Sequence, residues 1–375
     1  MPKDFVSRFR ICLLIAAILV CRPSCRYLFP EAENRFIAES WPAADGLFRT
    51  DPHWLGGDGA GSIDLGNGRI LWLFGDSLIE PLGRRGRDEA TMVRNSIAIQ
   101  RGYDPTRAGL HFFWGRRDAG PDDFFRSDEQ GNWFWPGHGV SLGEKLLLFL
   151  MKIGLRDDGF FEAVGWKAVL VENPHEAPSD WRLSWPAVSP NRIGVIVGSA
   201  AVVREGDYVI AYGARSAELH PVFLVRWRTD SARQGDLSAP QWFRSDTGLW
   251  VGQKEFMKRP IPVFDGGQME FSVHYDPRQQ QYLQVQTMSF WNPDIVVRRG
   301  REVTGPWSRP LSLFQPPESG RKGLVVYAAK AHPELSGADL IMTYAVNTFE
   351  KADLHENADL YYPKFVKLTW NNLSD

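Results

Sequence analysis

The chain alternates short apolar runs with tight turns, and one arrangement of the two recurs five times. Each copy has a small or polar start, a short β-type stretch, a turn, and a second strand rich in Leu, Ile, Val, Tyr or Trp. The copies read GGDGAGSIDLGNGRILWLFGD from residue 56, GHGVSLGEKLLLFLMKI from 137, GSAAVVREGDYVIAYGA from 198, MEFSVHYDPRQQQYLQVQT from 269 and KAHPELSGADLIMTYAVN from 330. Their turns fall at Asn67-Gly68, Gly143-Glu144, Gly206-Asp207, Pro277-Arg278 and Ser336-Gly337, all residue pairs with turn chemistry. Five β-hairpins are predicted. No long run has apolar residues at i, i+3, i+4 and i+7, so little helix is expected. Further strands are read in NSIAIQRG, FEAVGWKAVLVEN, VFLVRWR, DIVVRRG and FVKLTW, the last pairing with the first or last unit to close a ring. Asp58, His138, Ser199, Glu270 and His332 follow one another at intervals of 80, 61, 71 and 62 residues, room for four strands and their loops. The fold class predicted is all-β, a five-bladed β-propeller over residues 40–375.

That geometry bears on Asp76, which ends the apolar run ILWLF at Gly75-Asp76. An Asp after Gly often does no more than start a turn. In a propeller, however, the inner strands all run the same way and their starts gather at one mouth, to which the second strands return. Asp58, His138, Ser199, Glu270 and the Lys330–His332 segment belong to the first group. Asp76, Lys152, Arg215, the Ser289–Trp291 segment and Asn347 belong to the second. Asp58 and Asp76 then lie on neighbouring strands, about 4.8 Å apart if directly paired.

Composition narrows the partners. Lys and Arg total 43 against 45 for Asp and Glu, so there is no positive excess to hold a phosphate backbone, and nucleic acid is not expected. Fifteen Trp and 23 Phe supply flat faces for stacking, and 35 Gly supply tight turns, which suits a β-rich sugar binder. The metal-binding spacings HExxH and CxxC are absent, as is the G-x-S-x-G elbow of serine hydrolases. Neither a metal nor a cofactor is expected.

Carboxylates around an aromatic, Arg- and His-lined depression are what glycosidic cleavage requires: one protonated to assist the leaving oxygen, another ionised to attack or to activate water. Asp58 is assigned as the ionised base or nucleophile. Glu270, close to Phe264, Met269 and Phe271, is assigned as the acid, with Asp76 orienting the site or tuning its neighbour. Locally, GGDG around Asp58 reads equally well as a Gly-rich turn, and Glu270 as a structural partner of an Arg. Candidate substrate-binding residues are Asn95, His138, Arg215, Trp291, Lys330, His332 and Asn347, with Trp135 and Trp291 as an aromatic wall. The loop EPLGRRGRDEATMVRN, residues 80–95, starts near Asp76 and reads first as a solvated charged loop and second as a lid that overhangs the mouth and offers Arg84, Arg85 and Arg87 to sugar hydroxyls.

The motifs GDGAGSIDLGNGRILWLFGDSLI, RNSIAIQ, FFW with FWPGHGV, ENPHEAP, GSAAVV, EFSVHYD, GPWSRP, VYAAKAHPEL, TYAVNTF and LYYPKFVKL, in that order, resemble a bacterial domain-of-unknown-function family that includes secreted endo-D-arabinanases with a five-bladed propeller. The resemblance runs from about residue 45 to 370. It implies kinship with arabinanase-like, furanosidase and fructan-hydrolase propellers, whose sites use an Asp on the first inner strand and a Glu further on; Asp58 and Glu270 are similarly placed. Those relatives carry Asp-Pro on the first strand where this chain has Asp58-Gly59. The function expected is hydrolysis of a polysaccharide, with a furanoside such as an arabinan first in line. The competing reading is a non-catalytic carbohydrate-binding propeller.

The N-terminus is read separately. Lys3, Arg8 and Arg10 precede ICLLIAAILVC, eleven residues with the charge arrangement of a signal peptide and short for a membrane span. Residues 1–25 are expected to be a signal peptide or an N-terminal membrane anchor, and the product secreted or held at the cell envelope. Cys12, Cys21 and Cys25 all fall in this segment, so the remaining domain holds together without a disulfide. Cys21 sits in a lipoprotein-like box from which Val20 departs, which argues against lipidation.

Overall fold

The computed structural model describes residues 36–371 apart from 85, 118–119, 218 and 290–291; the expected signal segment and Trp291 lie outside the described residues. Each predicted hairpin is present and leads an antiparallel sheet. The first sheet joins Gly61–Gly66, Arg69–Phe74, Ser96–Arg101 and Gly109–Phe113; the second joins Asn132–Ser141, Leu146–Leu155, Phe161–Val171 and Leu183–Ser184. Val195–Glu205, Tyr208–Arg215, Val222–Arg228, Gln241–Arg244 and Leu249–Gly252 form the third. The fourth is built from Ser272–Asp276, Gln281–Thr287, Ile295–Glu302 and Gly305–Trp307, with Leu311–Phe314 also on Ile295–Glu302. In the fifth, Leu324–Ala331, Leu340–Thr348 and Lys364–Trp370 are completed by Phe36–Ser40 from the start of the described chain. That strand lies ahead of the expected boundary at 40 and pairs with the FVKLTW strand, covering an edge that would otherwise be open.

The reason for the near-continuous apolar runs is that each sheet is covered on both faces. Ile70 to Phe74 are all buried although alternate residues point to opposite sides. Leu71 and Ile97 of the first sheet share a core with Leu148 and Val169 of the second, and Leu147 and Phe149 pack on the other side against Val197 and Trp227 of the third. Tyr212 and Leu224 meet Val273 of the fourth sheet and Phe271 just before it, while Leu283 and Val297 meet Val326 and Met342 of the fifth. Ile341 and Phe365 of the fifth return to Ile70 and Trp72 of the first. The leading strands adjoin one another in the same order. All five line one cavity of about 380 Å³, through Ser62, His138, Val202, Ser272 and Ala331.

Three leading strands begin earlier than their hairpin motifs suggest and carry irregular register, between Pro136 and Gly139, Val197 and Val202, and Tyr327 and Lys330. Each irregularity changes which side chains face the central channel. His138 therefore lies inside its strand and lines the cavity, Ser199 lies inside its strand, and His332 follows the end of its strand, none of them at the strand starts where they were expected.

Candidate active site

Asp58 lies in the turn between Trp54–Gly57 and Gly61–Gly66, and Asp76 in the turn after Arg69–Phe74. Their backbones pair: Gly75 N donates to the Asp58 carbonyl at 2.9 Å, and Asp58 N to the Asp76 carbonyl at 3.4 Å. Two glycines make the close approach feasible. A Cβ on Gly75 would stand 2.5 Å from Asp58 Oδ1, and Gly59, at φ +86°, brings backbone to within 3.5 Å of Glu270 Oε1 measured from where its Cβ would be. The three carboxylates thus converge at one end of the channel.

Their hydrogen-bond partners differ in kind. Asp58 Oδ2 accepts from the Tyr327 hydroxyl at 2.7 Å, a neutral donor. Asp76 Oδ2 accepts from the Arg94 guanidinium at 3.0 Å and Oδ1 from the Trp135 indole at 2.7 Å. Glu270 Oε1 takes the Lys330 ammonium at 2.7 Å, and the same ammonium donates to the Gly59 carbonyl. Burial, reinforced by the charges of Asp76 and Glu270, pushes Asp58 up to about 8. Burial also raises Asp76, against the opposing pull of Arg94 and Trp135. Burial and the neighbouring carboxylates thus favour the protonated form of Asp58, a residue for which an ionised role was expected. Glu270, expected in apolar surroundings, is instead half of an ion pair.

Residues 43–370 match the model of a family described as a domain of unknown function, DUF5005. The chain belongs to that family. No curated protein matches it. Among solved structures, this DUF5005 chain is similar to a Bacteroides ovatus ATCC 8483 protein that carries a provisional hydrolase designation, at 18% identity and TM-score 0.70, covering 91% of this chain and 93% of that one. A protein of unknown function from Dyadobacter fermentans DSM 18053 follows at 10% identity and TM-score 0.50, covering 90% and 100%. A GH43_1 enzyme from Xanthomonas citri complexed with xylotriose aligns at 13% identity and TM-score 0.45, over 88% and 92%. At these identities the likeness to the first two is one of fold.

The remaining expected site residues of this DUF5005 domain have other duties. Asn95 is fully buried; its amide donates to the Phe125 and Phe134 carbonyls and accepts from Phe125 N, which leaves no donor for a sugar. His138 donates from Nε2 to the Ser62 carbonyl and accepts Val202 N at Nδ1, stapling three sheets, and burial lowers it to about 4. His332 is 1% exposed and spends Nδ1 on Ser62 Oγ and Nε2 on Thr343 Oγ1. Lys330, 3% exposed, pairs with Glu270 and donates to the Gly59 carbonyl. Asn347 donates to the Tyr327 hydroxyl at 3.2 Å and so supports the partner of Asp58. Arg215 closes Tyr208–Arg215, and the bonds around the carboxylates are made without it.

The expected lid is pinned down. Arg87 is buried and donates to the carbonyls of Leu55, Leu354, Asn357 and Leu360, while Glu80 accepts Leu82 N and Arg84 N. Arg84 pairs with Glu89, and Arg85 lies outside the described residues.

Tyr327, Arg94 and Tyr361 are the functional residues that sequence reading missed. Tyr327 and Lys330, three apart, would face opposite ways on a regular strand; the irregular register between them, with Ala328 at φ +55°, turns both toward the carboxylates. Tyr361, at φ +66°, donates from its hydroxyl to the Asp76 carbonyl and accepts Gly57 N on its own carbonyl. Non-glycine residues with such backbone collect where geometry is over-determined, a signal with no counterpart in sequence.

Proposed function

We propose that this chain is a glycoside hydrolase whose five sheets are the blades of a β-propeller, acting on a furanose polysaccharide such as an arabinan in the manner of endo-D-arabinanases, and exported from the cell by its N-terminal segment. Asp58 donates its proton to the leaving glycosidic oxygen. Asp76, fixed by Arg94 and Trp135, is the base or nucleophile, and Glu270 keeps the proton on Asp58 by facing it with negative charge. The observation that carries this reading is the contrast in partners: one carboxylate with a neutral hydroxyl donor, beside two that are each paired with a cation. Carboxylates whose surroundings separate their proton affinities in this way divide the acid and base roles.

The test is turnover on a panel of furanose and pyranose polysaccharides, followed by a pH profile on the substrate that is cleaved. The expected kcat/KM profile is bell-shaped. Activity falls as pH rises through about 8, where Asp58 loses its proton, and falls at acid pH at a point above the usual Asp range, where Asp76 gains one. Glu270→Gln removes a charge that raises Asp58 and is expected to move the alkaline limb to lower pH. An alkaline limb that stays in place in this variant removes Glu270 from the tuning role. Binding without product across the whole panel removes the hydrolase reading and leaves a sugar-binding module.

A further inference from the structure

The hairpin joining Leu146–Leu155 to Phe161–Val171 carries apolar side chains into solvent at the carboxylate end of the channel. Leu155, Phe160, Phe161 and Val164 are 65, 70, 56 and 50% exposed. Scattered exposed hydrophobics need no explanation, but four on one hairpin beside a candidate site do.

The hairpin is anchored to the carboxylates by a chain of ring contacts. Phe161 meets Trp135 edge-on, with centroids 4.9 Å apart, and the Trp135 indole holds Asp76. Trp135 in turn meets Trp133, 6.3 Å away, over which the Arg94 guanidinium lies at 4.5 Å. At the root, Ile153 and Ala163 pack into the same cluster as both tryptophans. The tip is folded by its own bonds. Arg156 N donates to the Phe160 carbonyl at 2.7 Å, Gly159 N to the Arg156 carbonyl at 3.0 Å, and Arg156 pairs with Asp158 at 2.8 Å. Phe160 and Phe161 therefore stand on an ordered support that runs outward from Asp76.

We propose that this hairpin is a binding arm for the glycosyl units next to the one being cleaved, its phenyl faces stacking on the apolar faces of successive sugar rings. The proposal rests on the hydrolase reading of the site and deepens it: Phe161 connects to Asp76 through Trp135, so an arm there serves units beyond the one at the carboxylates and makes the substrate a polymer. Aromatic faces suit this occupant because they add contact at little conformational cost and leave the hydroxyls of the sugar in water.

Affinity electrophoresis in native gels tests it, with a linear arabinan, a branched arabinan, an arabinoxylan and a levan as the gel polymers. The proteins compared are the Asp58→Asn variant, chosen so that the polymer is not consumed, and the same variant with Phe160→Ser and Phe161→Ser. Both phenylalanines are more than half exposed and Phe161 gives up one edge contact with Trp135, so a fall in melting temperature of no more than about 4 °C is expected to accompany their loss. The expected result is retardation of Asp58→Asn in at least one polymer, with an affinity about tenfold lower when the phenylalanines are absent. Equal retardation of the two proteins, or none of either in any gel, overturns the arm. Retardation that depends on the phenylalanines, from a wild type that cleaves nothing, overturns the hydrolase reading and leaves the arm standing.

Discussion

Asp58→Asn is expected to lower turnover about 10²–10⁴-fold, the usual worth of a positioned general acid, on whichever polysaccharide the wild type cleaves. The amide keeps the size of the carboxyl and can still accept from Tyr327, so the loss reports the missing acidic proton rather than a disturbed turn. Stability should move the other way. The Asp58 carboxyl binds its proton more tightly folded, up to about pH 8, than unfolded, where an Asp has its ordinary value of 3.8. Its contribution is fully present below the unfolded value and is lost as pH rises toward the folded one. Asn has no charge to bury at any pH, so the melting temperature of Asp58→Asn relative to wild type is expected to be higher at pH 9 than at pH 5. A difference that is the same at both pH values would mean that Asp58 is ionised in the folded site. Gain of stability with loss of turnover is the pattern of a residue kept for chemistry.

Arg87→Ala is expected to cost on the order of 3–5 kcal/mol of folding stability, read as a lowered urea midpoint, because four buried or half-buried carbonyls lose their donor together. Those carbonyls belong to Leu55 and to the 354–360 segment. Leu55 precedes the turn that carries Asp58, and Leu360 precedes Tyr361, which holds the Asp76 carbonyl. Turnover is therefore expected to fall along with stability. Arg87→Lys should rescue little, since a single ammonium with three donors cannot span two segments as the planar five-donor fork does. A variant with wild-type stability would return the loop 80–95 to the role of a mobile lid.

Much of the architecture was legible because its determinants are local. A hairpin needs two apolar runs and a turn that tolerates its backbone, and Asn67-Gly68, both at positive φ, supplies one outright. Hairpin geometry also explains why Asp58 and Asp76 could be placed on neighbouring strands from sequence alone. Glu270, like Asp58, shortly precedes the leading strand of its hairpin, and that shared position in the repeat is what the sequence offered for bringing the two together. The amphipathic character that would have revealed individual channel-facing residues was absent, because sheets packed on both faces leave runs such as Ile70–Phe74 uniformly buried.

What only the tertiary structure decided is the state of those carboxylates and the duty of each residue around them. The partner of Asp58 is Tyr327, 269 positions away, and the cation holding Glu270 is Lys330, 60 positions away. Both are aimed by one irregularity in strand register that no local propensity announces. His138, just inside another such irregularity, is spent on backbone contacts, and His332 on two hydroxyls. Proton affinity is the furthest from sequence of all, because it depends on how much water and how many neighbouring charges the completed fold leaves around a group. Asp58 and Asp76, the same side chain in two turns whose backbones pair, have different partners, since one meets a hydroxyl from the fifth sheet and the other a guanidinium and an indole.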